Sequence, residues 1–438
     1  MLDKETDILV ELLGRDDPKV QALLWAARDP KMQGAVRNML RNMARQQGWD
    51  PDDPPAFALP RRISTSDYPL GRAKCGELVG EEVGLSQKDI DAGGGIGIFG
   101  ISGVGKSTLT KVFILNFLGK KSMTDIQKNT ALILDAHGEY RDLMRFFSPE
   151  ELVWMTADEL GLNPFEVPRD ASGRPVMPPE KWVGCLKEWM RQLWLGEISV
   201  DVGAGVAIQV YRKRGVLTGG DDYPCLSDII EAVELEDAHR GSDKAKGREK
   251  VLDRLTTMRL TLPGLDVRRS RNVHQLFGQR TVILDLTETK DAALPLLFNF
   301  LVIVLTASFS HEPGELIRRL LIMEEAHLYL GGHTDKRTAD VKETAGTGVL
   351  RSLRKAGFCG VVVNQLISDL APAVVGNLSS VICMRLAQRA CISRAGSALG
   401  LQRWQEQELS RLPAREALMR VSRYPDPIHL LVKDLKNA

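Results

Sequence analysis

Short apolar runs that end in polar residues recur along the chain and predict the strands of a buried parallel sheet. They cover residues 96–99, 131–134, 281–286, 319–323 and 360–363. Each is four to six residues long and apolar throughout most of its length, which is typical of strands covered on both faces by helices. A stretch with helical spacing follows the first of these runs. The pattern predicts an α/β fold with a mainly parallel sheet.

Helical spacing dominates two other regions and suggests five segments. Residues 1–47 form a predicted N-terminal helical module, and residues 48–92, which begin with a proline- and aspartate-rich stretch, form a linker and lead-in. Residues 165–275 form a helical insertion in which Ser227 is a candidate N-cap. The insertion divides the predicted core into residues 93–164 and 276–438. The longest apolar run, from Ala292 to Phe309, is expected to be a buried core helix.

Composition adds limits to this picture. Apolar residues make up 43% of the chain and charged residues 26%, as in ordinary globular proteins. The 58 Lys and Arg residues balance 57 Asp and Glu residues, so any attraction to nucleic acid must come from a local patch. The six cysteines are scattered without metal-binding spacing. Together with the absence of a signal-peptide pattern at the N-terminus, this predicts a cytoplasmic protein that does not enter a membrane.

A phosphate-binding loop follows the first predicted strand. The sequence GISGVGKST fits the GxxxxGK[ST] pattern between a strand and a helix, which is the context that the pattern requires. Backbone N–H groups and the helix N-terminus favour a polyphosphate, and Lys106 is expected to reach its β and γ oxygens. Ser107 is expected to bind Mg²⁺. The predicted ATP-binding residues are Gly100, Ser102, Gly103, Val104, Gly105, Lys106, Ser107 and Thr108.

Candidate catalytic side chains follow two other predicted strands. We assign Glu324 to the shell of the Mg²⁺ ion and Glu325 to activating or orienting the attacking water. Gln365 is expected to sense the γ-phosphate through its amide, because ligands of parallel α/β sheets bind beyond the carboxyl ends of the strands. His137 and His327 also follow strands and are expected to pack or to support the site. The element DAHGEY, residues 135–140, follows one more strand.

Charge on the leaving phosphate usually requires an arginine, supplied by the same subunit or by a neighbour. Arg354 and Arg385 are equal candidates, the first just before the strand that leads to Gln365 and the second in the strand-like sequence VICMRL. A basic stretch within the helical insertion, from Lys244 to Arg271, could contact DNA.

The order of these motifs resembles the HerA-like ATPases of the HerA/FtsK superfamily. GISGVGKST, LILDAHGEY, LNPF, VILDLT, LIMEEAH, RSLRKAGFCGVVVNQ and YPDPIHL follow one another between about residues 95 and 433. The resemblance implies a RecA-like P-loop core of the additional-strand, catalytic-glutamate type, a hexameric ring, and ATP-driven movement along double-stranded DNA. It also implies a docked effector, often a nuclease. The resemblance also implies that the family's functional residues correspond to Lys106, Ser107, Glu325, Gln365 and an arginine finger at Arg354 or Arg385.

This chain departs from the family pattern in three respects, one of which is that Asn364 stands where a small residue such as Thr is frequent. Glu324 stands where the family usually has Asp, and the N-terminal region is predicted to be helical where the family commonly has a small β-barrel. Two other functions therefore stay open: an ATP-loaded ring that is a scaffold for a partner enzyme, and a secretion or conjugation ATPase. A small-molecule kinase fits less well because of the helical insertion. Repair, chromosome handling and antiviral defence are all compatible with the sequence.

Overall fold

Eleven strands form a single sheet across the part of the chain that the computed structural model describes. The structure describes residues 6, 9–10, 13–47, 56–60, 66–119, 128–192, 196–236, 241–312, 314–330 and 345–437. The strands are β1 (Tyr68–Cys75), β2 (Leu78–Leu85), β3 (Ile96–Phe99), β4 (Thr130–Asp135), β5 (Leu152–Thr156), β6 (Thr281–Asp285), β7 (Arg319–Glu324), β8 (Phe358–Asn364), β9 (Ser380–Cys383), β10 (Glu416–Arg420) and β11 (Ile428–Val432).

The sheet has a parallel part and an antiparallel part. Its order is β2-β1-β11-β10-β9-β3-β8-β7-β4-β6-β5. The seven strands from β9 to β5 pair in parallel, and β2, β1, β11 and β10 extend the sheet with antiparallel pairs. Strand β8 lies between β3 and β7, which is the additional strand implied by the family resemblance. The predicted α/β fold with a mainly parallel sheet is confirmed.

Helices cover both faces of the sheet. The α-helices are α1 (Pro18–Ala26), α2 (Gln33–Gln46), α3 (Gln87–Asp91), α4 (Lys106–Gly119), α5 (Pro179–Gln192), α6 (Glu197–Lys213), α7 (Leu226–Leu235), α8 (Asp243–Thr261), α9 (Leu294–Ser308), α10 (His327–Leu330), α11 (Ala345–Lys355), α12 (Pro372–Gly376), α13 (Arg389–Leu399) and α14 (Glu408–Arg411). Short 3₁₀ segments span Arg141–Phe146, Ala157–Glu159, Val216–Thr218, Pro263–Leu265, Asp291–Ala293, Ile367–Asp369 and Leu435–Asn437, and a π-helical turn spans His274–Gly278.

The longest apolar run forms α9, as predicted. Residues 291–308 are long and apolar enough to cross a membrane, but Phe298, Leu301 and Leu305 are buried in the same core cluster as side chains of the sheet and the helical insertion. Helix α9 connects β6 to β7, two strands of the parallel part. The helix therefore packs as a core element of the α/β fold.

The region between the N-terminal helices and the phosphate loop contains more structure than the predicted linker and lead-in. Strands β1 and β2 form a hairpin within it, and β1 pairs with β11 near the C-terminus of the chain. Helices α1 and α2 pack over this hairpin through a small apolar cluster that includes Leu40 and Cys75. Asp17 caps α1 through the backbone N–H groups of Lys19 and Val20.

Helices α5 to α8 lie within the predicted insertion, and two indole N–H groups connect α5 to the core. Trp182 donates to the carbonyl oxygen of Pro164 over 2.9 Å, and Trp189 donates to that of Leu296 over 3.1 Å. The prediction that Ser227 caps a helix is wrong. Helix α7 begins at Leu226 with Cys225 as its cap, while the Ser227 hydroxyl donates to Asp266. Ser227 is thus the second residue of the helix, and its backbone N–H and its hydroxyl both donate to Asp266.

Trp189 provides a stability test of the contact between the insertion and the core. Its side chain is fully buried, and its ring centroid lies 5.3 Å from that of Phe300 in α9. Trp189→Ala should lower the free energy of unfolding by about 3–5 kcal/mol in urea denaturation, because a large cavity opens. The control Trp25→Ala, at a side chain that is 72% exposed, should change it by less than about 0.5 kcal/mol. Equal effects of the two substitutions would contradict this packing.

Candidate active site at the carboxyl edge of the parallel sheet

The phosphate loop connects β3 to α4 and has the backbone that its glycines allow. Gly103 and Gly105 have φ angles of +78° and +106°, in the region that favours glycine. A Cβ on Gly103 would meet nothing within 4 Å, so there is open space beside the loop at this residue. Lys106 begins α4, and its Nζ donates to the carbonyl oxygen of Ile101 over 3.2 Å. The ammonium group therefore lies folded back across the loop.

Four adjacent strands bring the predicted catalytic residues to this loop. Strands β3, β8, β7 and β4 are consecutive in the sheet and parallel, so their carboxyl ends share one edge. This edge carries the phosphate loop, Gln365, the two glutamates and Asp135. Lys106 interacts electrostatically with Glu325, Glu324 and Glu139. The structure thus groups Lys106, Ser107, Glu324, Glu325 and Gln365 in one site.

Glu325 is held by a clamp of three residues, which we define as Gln365, His327 and Asn364. Its backbone φ is +45°, a conformation that is rare outside glycine. Nε2 of Gln365 donates to Oε1 of Glu325 over 2.8 Å. Nδ1 of His327 lies 3.3 Å from Oε2 of Glu325 and 2.9 Å from Oδ1 of Asn364. Both carboxylate oxygens of Glu325 are therefore oriented.

The clamp also sets the charge of Glu325. Burial opposes ionisation, yet the hydrogen bonds from His327 and Gln365 hold the pKa of Glu325 below its usual value. The same contact with Glu325 raises the pKa of His327. On the other side, Nε2 of the half-exposed His137 lies 3.8 Å from Oε1 of Glu325. An ionised carboxylate with two histidines beside it suits a group that orients water.

Glu324 differs from its neighbour although both are buried. Its Oε2 accepts the backbone N–H groups of Ala136 at 3.1 Å and His137 at 3.4 Å. Asp135 is fully buried beside it. Burial and the adjacent Asp135 carboxyl raise the pKa of Glu324 to about 9. Burial and the neighbouring carboxyl thus favour the protonated form of Glu324.

Glu139 also belongs to the site, although we did not assign it from the sequence. Its backbone N–H donates to Oδ1 of Asp135 over 3.0 Å, and its carboxylate accepts the hydroxyl of Ser107. Burial lowers the pKa of Lys106, and the negative charges of Glu325, Glu139 and Glu324 oppose that shift. The sequence signal that could have indicated Glu139 is its position four residues after the end of β4, at the same edge of the sheet as the phosphate loop. Sequence spacing alone does not show that this turn reaches Ser107.

The two candidate arginines lie at opposite edges of the sheet. Arg385 follows β9, and its carbonyl oxygen accepts the N–H of Ile101 in the phosphate loop over 3.0 Å. Its Nε is buried and has no hydrogen-bond partner among the described residues. Arg354 is exposed near the end of α11, where β8 and β3 begin, and donates to the carbonyl oxygen of Asp91 over 3.4 Å. Arg385 is thus beside the phosphate loop of its own chain, and Arg354 is not.

Arg415 is a second residue that the sequence analysis missed. Its backbone N–H donates to the carbonyl oxygen of Val104 over 2.9 Å, and its φ is +68°. Its guanidinium is 3.2 Å from the Asp434 carboxylate. The antiparallel extension therefore supports the phosphate loop from outside. No local pattern predicts this contact, because it joins residues more than 300 positions apart.

The residues present fit a magnesium nucleotide. The open loop at Gly103 and the N-terminus of α4 suit phosphate groups, and Ser107 and Glu324 offer oxygen atoms of the kind that Mg²⁺ prefers. In the described part of the chain, no group of three or more His, Cys, Asp or Glu residues could hold a metal ion. A Mg²⁺ ion here would therefore need phosphate oxygens to complete its shell, as in other P-loop proteins.

The raised pKa of Glu324 predicts a pH-dependent stability difference in nucleotide-free protein. The folded state keeps a proton on Glu324 over a range, from about pH 4.5 to about pH 9, where the unfolded state has lost it. This carboxyl therefore destabilises the fold increasingly as pH rises through that range. Glu324→Gln should unfold at a higher urea concentration than the wild type, by a margin that grows from pH 6 to pH 8. A margin that is constant or shrinks over this range would refute the assignment.

Comparisons with known proteins support the family resemblance that the order of the motifs indicates. The sequence profile described as "Helicase HerA, central domain" matches residues 92–174. This range includes the phosphate loop, DAHGEY and LNPF. No curated protein matches the chain in sequence.

Solved structures share the fold at low sequence identity. VirB4 of Thermoanaerobacter pseudethanolicus superposes with a TM-score of 0.60 and 15% identity, over 85% of this chain and 97% of its own. The plasmid coupling protein TrwB, in complex with ADP and Mg²⁺, gives a TM-score of 0.56 and 15% identity, over 88% of this chain and 98% of its own. Residues 92–174 are thus similar to the HerA central domain, and the described part of the chain shares the fold of VirB4 and TrwB, in agreement with the resemblance that the motif order indicates.

Proposed function

We propose that the chain is the subunit of a hexameric, cytoplasmic motor that hydrolyses Mg²⁺-bound ATP to move along double-stranded DNA and works with a partner nuclease or other effector. The observation that carries the proposal is the clamped Glu325 at the same sheet edge as the phosphate loop. A binding module for nucleotide needs the loop alone. A second, ionised and oriented carboxylate supports water activation, and therefore hydrolysis.

Each residue of the site has a role in this mechanism. The loop N–H groups hold the phosphates, and Lys106 leaves the Ile101 carbonyl oxygen to contact the β and γ oxygens. Ser107 and Glu324 would hold Mg²⁺, which when bound neutralises phosphate charge. Glu325 orients a water for attack. Gln365 senses the γ-phosphate and holds the Glu325 carboxylate through its amide. Glu324 must lose its proton to act as a ligand, and a cation nearby favours that loss.

The two arginines suggest a division between subunits. The buried, unpaired Nε of Arg385 beside the loop suits a contact with phosphate in the same subunit. Arg354 is exposed at the opposite edge, so it could reach only a nucleotide bound by a neighbour. Composite sites of this kind are common in ring ATPases and would couple hydrolysis to movement between subunits.

DNA contact is supported by one helix rather than by the whole basic stretch. Lys244 pairs with Glu236, and Arg268 and Arg269 pair with Asp228 and Asp221, so these cations are partly neutralised within the insertion. We define the basic stripe as Lys246, Lys250 and Arg254 of α8, which are exposed and spaced by four residues on one helix face. Of these three, Lys246 also pairs with Asp243 over 3.5 Å. A stripe of this kind could follow a phosphate backbone.

A secretion or conjugation ATPase is the second candidate. The structural similarity to VirB4 and to the plasmid coupling protein TrwB favours it, because both superpose over more than nine tenths of their own length. A scaffold function, in which the ATP-loaded ring organises an effector, shares the same site. DNA-stimulated hydrolysis distinguishes the motor from the scaffold.

The DNA experiment measures ATP turnover with and without double-stranded DNA at increasing salt. The motor predicts stimulation by DNA that falls steeply with salt, because binding releases counterions from the DNA and a higher salt concentration makes that release less favourable. Lys250→Gln combined with Arg254→Gln should shift the half-stimulating DNA concentration upward by about tenfold while basal turnover persists, a change typical of two lost phosphate contacts. The matched control is Lys187→Gln, a cation of α5 that already pairs with Asp201 over 2.9 Å.

One outcome counts against the motor, and another counts only against the basic stripe. Turnover that is indifferent to DNA at every salt concentration would favour the scaffold. DNA stimulation that is equally weakened by the Lys187 control would remove the basic stripe from the proposal. Lys106→Ala should abolish turnover in either case, because the β and γ oxygens lose their cation; preserved turnover would show that the loop is misassigned.

The arginine assignment is tested by mixing subunits. Arg354→Ala should lower turnover by about 10³-fold, the size of effect that an arginine finger has in related reactions. Mixing it with a Lys106→Ala chain should restore part of the activity, because intact loops then meet intact Arg354 side chains across subunits. Arg385→Ala mixed with Lys106→Ala should give no recovery. If Arg385 acts on the nucleotide of its own subunit, every site in the mixture lacks either Arg385 or Lys106. Recovery with Arg385→Ala alone would reverse the assignment.

A further inference from the structure

The carboxylate of Glu139 lies where it can distinguish a metal-bound nucleotide from a free one. It accepts the hydroxyl of Ser107, the side chain that P-loop proteins use to bind Mg²⁺. Glu139 is exposed, so no apolar packing fixes it there. Its charge also raises the pKa of Lys106, the residue that we expect to contact the phosphate oxygens. One carboxylate thus contacts or influences both groups that a magnesium nucleotide would need.

The turn that carries Glu139 is well defined. The Glu139 and Tyr140 N–H groups donate to the two carboxylate oxygens of Asp135, at 3.0 and 2.9 Å. Gly138, in this turn, has a φ of +71°, which favours glycine. The backbone of residue 139 is therefore tied to the end of β4, directly beside β7 and its glutamates. The described contact of the Glu139 carboxylate is with the Ser107 hydroxyl.

Electrostatics gives this carboxylate opposite effects on two ligands. Nucleotide phosphates without a metal bring negative charge toward Glu139, and the repulsion disfavours binding. A divalent cation at Ser107 reverses the sign, because a carboxylate then faces the cation, directly or through a water molecule. We propose that Glu139 makes nucleotide binding dependent on Mg²⁺ by penalising metal-free nucleotide and supporting the metal-bound form. This inference rests on the proposed ATP-binding function.

The test measures equilibrium binding of a fluorescent ATP analogue, in Mg²⁺ and separately in EDTA. Glu139→Gln keeps the shape of the side chain and removes the charge. It should bind the analogue more tightly than the wild type in EDTA and more weakly in Mg²⁺. The ratio of the two dissociation constants should fall by about tenfold, as expected for one charge at short range in a partly exposed site.

Two variants complete the experiment. Glu139→Asp keeps the charge and should retain a metal dependence closer to that of the wild type, which also covers a folding defect of the Gln variant. Glu188→Gln, an exposed carboxylate of α5 that pairs with Arg191, is the matched surface control and should leave both constants unchanged.

The outcomes separate this inference from the proposed function. Tighter binding of Glu139→Gln in both solutions would show that Glu139 only competes with nucleotide, and would overturn the inference. Unchanged constants in both solutions would overturn it as well. A wild-type chain that binds no nucleotide in Mg²⁺ would instead overturn the proposed function on which the inference rests.

Discussion

The hydrogen-bonded clamp on Glu325 is the interaction on which the candidate site depends. Glu325 has a left-handed backbone, which costs roughly 1–3 kcal/mol for a residue other than glycine. Gln365 and, through His327, Asn364 hold its carboxylate from strand β8. The clamp exists because β8 lies between the loop strand β3 and the glutamate strand β7. Two strand spacings, roughly 10 Å, then separate loop and glutamate, enough room for a phosphate chain and its cation.

Several polar and charged groups near this clamp contact one another. Glu324 is buried beside Asp135, which raises its pKa, Lys106 donates to a carbonyl oxygen of its own loop, and Glu139 accepts the Ser107 hydroxyl. A magnesium nucleotide would supply a cation to the carboxylates and anionic oxygens to the lysine. The same ligand would therefore satisfy several groups that now pair with one another. This arrangement underlies the Mg²⁺ dependence that we propose for Glu139.

The sequence predicts the parallel core well because that information is local. The strand before the loop, the strands that end at Glu324 and Asn364, and the apolar helix α9 all follow from short apolar runs and their lengths. The site residues on strand ends follow from the same pattern, since parallel strands share a carboxyl edge. Their roles remain proposals, but their proximity could be expected.

The remaining features depend on contacts that leave no local pattern. The β1–β2 hairpin lies in the region expected to be a linker, because its partner β11 is more than 340 positions away. Arg415 supports the phosphate loop across a similar distance in the chain. Ser227 looks like a helix cap until Asp266 is seen to bind it. The basic stretch looks uniform in sequence, whereas folding pairs several of its cations with acids of the same insertion.

The most direct measurement is a single-turnover experiment on Glu325→Gln with radiolabelled ATP and Mg²⁺. If Glu325 orients the attacking water, the variant should bind ATP to about one molecule per chain and cleave it about 10²–10⁴-fold more slowly than the wild type, the usual contribution of such a group. Cleavage of bound ATP at the wild-type rate would contradict the account, because the clamped carboxylate would then have no part in the reaction.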